Sequence, residues 1–588
     1  MAERSLPIFK WRKSPGPAVI TAFFGAITLV PVSFVAFFGL ITPFWGGETQ
    51  GIKTEVLLAF DIMVAVIWNA ALQFIEPVNF LPQSNWYLPD WQSNLERQGY
   101  WHAYLLRLSM FLVASCWLIA GLTLRTYLKT DLIQGYEHAG GPELLQGLRA
   151  KRGAMAAIAD EAPPEKNGLI IAENIALSRE RELGSFFVFG AQGRGKSAVL
   201  RTLQTQLIGR PNTKVVIFDQ KGDLTATWPQ SNVIFFAPHD IRTHGWAIGK
   251  DIRNEIAAQE FAAMLIPIAG GDTNWPKGGR DIFEAVLIAL QNQQGTNWGF
   301  RELLQVLQLD PISLRDYVAP YRPDVLNYLG VDQTGEFTRT SIGYVTNFQA
   351  AVMSVIRPLA LAWGDLPPQR QISLNAWILK KNSKFQTLII QNFSTFEDVS
   401  IGWIRPVIER IVKVSGSPQI PDDGDQRLWL IIDEFPQLKH MPSLLKVPET
   451  HRSKGVSLVL TAQSLSQIYE HYSKNEADML MELLQTKIVL RIGQSDCAVR
   501  INDWIGKLRW RDPADSGFTE TGARKPIPEY KDDLISAFYL TTLGARRSLN
   551  RVDGLVLGLD GNAYRLSWPY CKWPKQRPGV RLAPWAQT

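Results

Sequence analysis

The sequence predicts an α/β fold: a parallel sheet with helices on its faces, interrupted by an all-helical insertion and preceded by a transmembrane helical region. Three observations predict it. Between Phe186 and Phe236, short β-rich runs alternate with helix-like ones, as in strand–helix–strand units. From Ile252 to about Ala362 helical periodicity dominates, and strand-like runs then return. The first 125 residues hold uncharged apolar runs long enough to cross a hydrocarbon core of ~30 Å.

Size and composition narrow the class. At ~100–200 residues per domain, 588 residues imply several compact units. With 46% hydrophobic and 20% charged residues, the chain is not disordered as a whole. Sixty-one Lys and Arg against 55 Asp and Glu leave a net charge of +6, which permits an anionic partner without requiring one. Cys116, Cys497 and Cys571 lack metal-ligand spacing, which excludes a zinc module, and are too few for a disulfide framework.

Ala18–Leu40 is 23 residues without a charge, preceded by Arg4, Lys10, Arg12 and Lys13 against a single Glu3. A second run, Leu108–Leu124, extends back to Tyr104 and is followed by Arg125, Lys129, Lys151 and Arg152. Positive residues outside both ends place both outer flanks in the cytoplasm. Trp45, Trp86, Trp91 and Trp101 lie between the runs, as expected near a membrane interface. A third stretch, 54–75, contains Glu55 and Asp61. A charge in mid-membrane costs ~2.5–3.5 kcal/mol on insertion scales. Two spans are expected, at about 18–40 and 104–124, with 54–75 as an amphipathic or packed helix; three spans are the alternative.

The expected organisation is a membrane-anchoring region over 1–130 and a linker rich in Gly, Ala, Pro and charge over 131–168. A nucleotide-binding α/β domain follows in two pieces, 169–251 and 363–588, around an all-α domain at 252–362. Its first elements are a strand at Phe186–Phe189, a helix at Ser197–Ile208, and strands at Lys214–Phe218 and Asn232–Phe236. The insertion has helical runs at Ile282–Leu290, Phe300–Leu307 and Val345–Leu361. Strands return at Thr387–Gln391, Leu428–Ile432, Ser457–Thr461 and Lys487–Arg491.

Gly190, Ala191, Gln192, Gly193, Arg194, Gly195, Lys196 and Ser197 fit the phosphate-loop pattern G-x-x-x-x-G-K-[ST]. Glycines let the backbone wrap a phosphate closely, with amides pointing inward and a helix N-terminus behind them. Lys196 would reach the β- and γ-phosphates of ATP, and Ser197 would ligate Mg2+. The partner site should be an apolar strand ending in an acid. Leu428–Ile432 is such a strand, and Asp433 and Glu434 follow at once. Asp433 would hold Mg2+; Glu434 would orient and deprotonate the attacking water. Gln463, after the next strand, is placed to sense a γ-phosphate. Arg452, just before that strand, is a candidate to reach a neighbouring subunit's nucleotide, with a plain surface arginine as the other reading. Asp219 and Asp223 follow the second strand, where ligands bind in parallel sheets, or form a simple turn.

These motifs resemble those of the type IV coupling proteins, the TraD-like membrane ATPases of bacterial conjugation. The matching pieces are Gly190–Ser197, Asp219–Asp223, Asn274–Phe283, the Asp-Glu-Phe-Pro-Gln-Leu run ending at Leu438, and Arg452 through Gln463. The resemblance implies a RecA-like P-loop NTPase domain with an inserted all-α domain, using ATP and Mg2+. It also implies a homo-hexameric ring in the bacterial inner membrane, multi-pass, with its motor domain in the cytoplasm. The implied task is to receive the relaxosome, a relaxase with single-stranded DNA, and drive that DNA toward the components of a type IV secretion channel. The chain ends in Trp- and Arg-containing sequence rather than a long acidic tail, which leaves cargo recognition open.

The residues support nucleic-acid binding only through Lys507-Leu-Arg-Trp-Arg511 and the basic positions Arg546, Arg547 and Arg551, with a solvated charged face as the other reading. No base-reading motif is present, so any binding is not sequence-specific. Two alternatives share the motor: a receptor recruiting protein effectors to a secretion channel, and a duplex-DNA translocase resembling FtsK or HerA proteins.

Overall fold

The computed structural model describes residues 137–587 except 160, 162–167, 269–273, 381–382, 423, 493–494, 513–514, 516–526 and 571–572, and before them only Arg97 and Trp117. The apolar stretches at 18–40, 54–75 and 104–124 thus lie outside the described residues, Trp117 aside. The chain divides into two compact units, 1–140 with 509–532, and 141–508 with 533–588.

In the first unit, a small sheet places Arg509, Trp510 and Arg511 between Glu137–Gly140 and the strand that starts at Glu529. Trp510 is buried and stacks on Tyr530 at 4.6 Å. Arg511 and Arg509 both pair with Glu529. The aromatic of this basic run is therefore core, and its arginines are partly neutralised. It does not present the open stacking surface that single-strand binding uses.

Among the described residues, the second unit is built on an eleven-stranded sheet. Its strands are β1 (Leu144–Gln146), β2 (Phe186–Phe189), β3 (Thr213–Asp219), β4 (Val233–Phe236), β5 (Thr387–Gln391), β6 (Arg427–Ile432), β7 (Val456–Ala462), β8 (Thr486–Val489), β9 (Gly544–Arg546), β10 (Arg551–Leu557) and β11 (Ala563–Pro569). The order is β1-β11-β10-β8-β2-β7-β6-β3-β5-β4, with β9 paired to β10. From β8 to β4 every pairing is parallel; β10 joins β8 antiparallel. Parallel strands are covered on both faces, so they read as unbroken apolar runs. All residues of β2, β3 and β7 are buried accordingly. Val215, Ile217, Trp429, Ile431 and Val459 share one core cluster with Ala198, Val199, Leu200, Leu203 and Leu207 of helix α1 (Lys196–Leu207).

Between Gly245–Trp246 and Gln371–Ile372, which pair in parallel, the described chain is helical. Its main helices are α2 (Glu255–Leu265), α3 (Asn274–Gln294), α4 (Phe300–Leu307), α5 (Pro311–Val318) and α6 (Arg339–Trp363). Among the described residues, α6 alone is long and apolar enough to cross a membrane by length and composition. It packs against α3 and α4, with Phe348 on Phe283 and Tyr344 on Trp275. The Asn274–Phe283 motif is explained by this packing. A Cβ at Gly278 would lie 2.5 Å from the Tyr344 ring, so glycine sets how closely α3 and α6 approach.

A strand and a helix of the second unit lie within the expected linker at 131–168. Leu144–Gln146 adds β1 beside β11, and the helix Leu148–Ala157 buries Ala150 and Ala154 in the core. Short apolar side chains at helical spacing dock there despite a loop-like composition. The described C-terminal residues dock on the short helix Asp223–Thr227 and the turn after it. Gln576 and Arg577 donate from their backbone N–H groups to the Ala226 carbonyl, Arg577 caps the Trp228 and Gln230 carbonyls, and Trp573 meets Trp228 edge-on.

Candidate nucleotide site

β2 ends at Phe189, and the phosphate loop begins against β8. A Cβ at Gly190 would sit 2.7 Å from the Leu490 Cβ, so only glycine fits there. The Ala191 N–H donates to the Arg491 carbonyl at 2.9 Å, and the Gly190 N–H to the Ala462 carbonyl at 3.2 Å. Gly193 and Gly195 take left-handed φ values of 72° and 108°, which side chains resist. Gln192, Gly193 and Arg194 are exposed at the tip. Gly195 leads straight into α1, whose first-turn amides face the loop and favour an anion. Ser197, in that first turn, is exposed.

The side chains converge from strands distant in sequence. The Lys196 ammonium donates to the Gly190 carbonyl at 3.0 Å and lies 3.4 Å from Glu434 Oε2. Gln463 donates its amide to that same Oε2 at 2.7 Å. Among the described residues, Glu434 Oε1 is buried with no partner. Glu434 itself adopts φ 63° and ψ 66°, a left-handed conformation uncommon for residues with a side chain. Thr461, fully buried in β7, accepts the Glu434 N–H at 3.0 Å and donates to Asp433 Oδ1 at 3.2 Å. In the sequence Thr461 is simply the last residue of the expected strand Ser457–Thr461. A hydroxyl in an otherwise apolar buried strand end was the available signal.

Electrostatics follow from burial. Burial lowers the Lys196 pKa, against the opposing pull of Glu434 and Asp433. Burial, and then the neighbouring Asp219 carboxylate, push Asp433 up to about 6, against the charge of Lys196 and the Thr461 hydrogen bond. Asp219 ends β3, the strand beside β6, and burial raises it too. Its carboxylate accepts the Gly222 and Thr225 N–H groups at 3.0 and 2.6 Å and the Thr225 hydroxyl at 2.7 Å. Asp219 therefore organises the turn next to Asp433, while Asp223 is exposed at the start of a short helix.

The structure unites Lys196, Asp433, Glu434 and Gln463, and it does not bring Arg452 to them. Arg452 lies before the amino end of β7, where it pairs with Glu180 at 3.0 Å in a solvent-exposed contact. Seven residues of strand, ~23 Å at ~3.3 Å each, separate that end from Gln463. Arg546, Arg551 and Arg565 all converge on the buried Asp553 carboxylate at 3.0–3.1 Å, so two of the basic candidates are fixed internally.

A glycine cradle before a helix, a lysine inside it and a buried carboxylate with one free oxygen can hold phosphates and activate water. Residues 169–523, more than half of the chain, match the family described as the type IV secretion-system coupling protein DNA-binding domain. Coupling protein TraD of Escherichia coli (strain K12) is 24% identical over 325 residues, 54% of this chain and 43% of that protein. The match thus spans less than half the length of this curated relative. Among solved structures, the bacterial conjugative coupling protein TrwBdeltaN70, in its unbound monoclinic form, aligns with a TM-score of 0.61 at 19% identity, covering 76% of this chain and 96% of that one. Plasmid coupling protein TrwB in complex with ADP and Mg2+ aligns at 0.60, also at 19% identity, over 76% and 98%. At such identity the likeness shows the fold alone, the mixed α/β fold of those structures. Together with the family match over 169–523, it places the chain in the family of type IV secretion-system coupling proteins.

Proposed function

We propose that this chain is an inner-membrane ATPase that couples relaxase-bound single-stranded DNA to a type IV secretion channel and drives DNA transfer in conjugation. The observation that carries the reading is the meeting of Lys196, Glu434 and Gln463 at one end of the sheet, in a chain of the coupling-protein family. TrwB has been solved with ADP and Mg2+, and ATP and Mg2+ are the ligands proposed for this site.

The residues suit those ligands. Among the described residues, a Cβ at Gly193 would meet nothing within 4 Å, so the loop tip is open to a phosphate, and Glu434 Oε1 has no partner. Lys196 would contact the β- and γ-phosphates. Ser197 and Asp433 would hold Mg2+, whose charge offsets that developing on the phosphate oxygens. Glu434 orients the attacking water and accepts its proton at the free oxygen, while Gln463 holds the other oxygen. Through that contact Gln463 links the γ-phosphate position to β7. Arg452 serves a neighbouring copy in a homo-hexameric ring that turns the amino end of one sheet toward the next nucleotide site.

The test is ATP hydrolysis by the full chain in detergent, without DNA, with single-stranded DNA and with duplex DNA, beside Lys196→Ala. Stimulation by single strands, lost in the variant, is expected. Duplex preference would move the reading to a segregation-type pump. Lys196-dependent activity indifferent to DNA would move it to a receptor for protein effectors.

A further inference from the structure

We infer that Thr461 is a positioning residue of the hydrolytic site, holding both acids of the pair through its single hydroxyl. This deepens the ATPase reading and rests on it. The hydroxyl proton goes to Asp433 Oδ1, and an oxygen lone pair takes the Glu434 N–H. Thr461 sits in β7 between the phosphate-loop strand and the acid strand, with Thr461 opposite Val188 and Leu460 opposite Ile432. The same strand leads to Gln463, whose amide grips the Glu434 carboxylate. One strand thus holds Glu434 at its backbone and at its side-chain tip.

The geometry makes both grips necessary. Glu434 is in the left-handed region, which an unrestrained glutamate leaves readily. Relaxation to an ordinary backbone conformation would re-aim the carboxylate. The strand itself does not need a hydroxyl. Valine suits a buried β position at least as well, and Val459 and Ala462 beside it are apolar. A polar residue at this buried place is explained by the two groups it satisfies.

The experiment compares wild type, Thr461→Val and Thr461→Ser as full chains in detergent. Valine keeps the shape and leaves both acids without the hydroxyl. Expected for Thr461→Val is a fall in kcat on the order of 10–100-fold, the usual effect of losing a group that orients a catalytic one. KM and binding of a fluorescent ADP analogue should stay near wild type, and Thr461→Ser should recover most of the turnover. Hydrogen exchange of the peptide containing Glu434, read without turnover, should rise in the valine variant and not in the serine variant. Unchanged exchange and kcat in Thr461→Val would overturn the inference, as would a serine variant impaired equally. A wild type lacking Lys196-dependent hydrolysis would instead count against the ATPase reading, and the exchange data would still decide the role of Thr461.

Discussion

Glu434, the proposed base, also carries the backbone strain of the site. Its left-handed backbone costs roughly 1–2 kcal/mol, which the neighbouring bonds from Thr461 and Gln463 offset. Glu434→Gln keeps the size and can still meet Gln463, but it cannot accept a proton. Nucleotide binding should remain near wild type while turnover falls ~10²–10⁴-fold, read as phosphate release beside equilibrium binding. Undiminished turnover would remove Glu434 from its assigned role. Lys196, Asp433 and Glu434 were legible because each sits in a short run whose chemistry is contiguous. Thr461 was not, since its significance depends on a backbone N–H 27 residues earlier in the chain. Asp219 was flagged, but only its place beside Asp433 separates it from the exposed Asp223.

The phosphate loop and its helix depend on an element that nothing local announces. A Cβ at Gly195 would lie 2.5 Å from Val552 Cγ1 in β10, and the residue's φ is already left-handed. Gly195→Ala should therefore lose nucleotide binding and ~1–3 kcal/mol of stability. Adding Val552→Ala should restore part of the binding, because it relieves the clash and leaves the φ strain. Calorimetric unfolding and nucleotide titration check both, and a fully restored double variant would show that strain was unimportant. The parallel strands were readable as apolar runs, and β2 and β5 begin and end where expected. The hairpin of β10 and β11 was missed. Gly554 interrupts its apolar pattern, and its reason lies in space: a Cβ there would meet Leu490 at 2.8 Å. β1, at three residues, is too short for any period to show.

At the scale of the molecule, Arg452 poses the clearest question. Its side chain is at the sheet end remote from its own phosphate loop, so a catalytic role requires a second copy. Arg452→Ala and Glu434→Gln should each abolish activity alone. Mixed, they should regain a fraction of it, because some sites then draw an intact Glu434 and an intact Arg452 from different subunits. Mixtures as inactive as the parents, or an active Arg452→Ala, would assign the arginine to the surface pair with Glu180. The sequence by itself determined the phosphate loop, the acidic pair, the alternation of strands and helices, and the helical interruption. Each is written in neighbouring residues, where spacing alone dictates which side chains share a face. Only the tertiary structure decided that Lys196 meets Glu434 across 238 residues, that β7 lies between their strands, and that Arg452 stands apart. Strand order sets these distances, and it is settled by how whole faces pack, which no local pattern encodes.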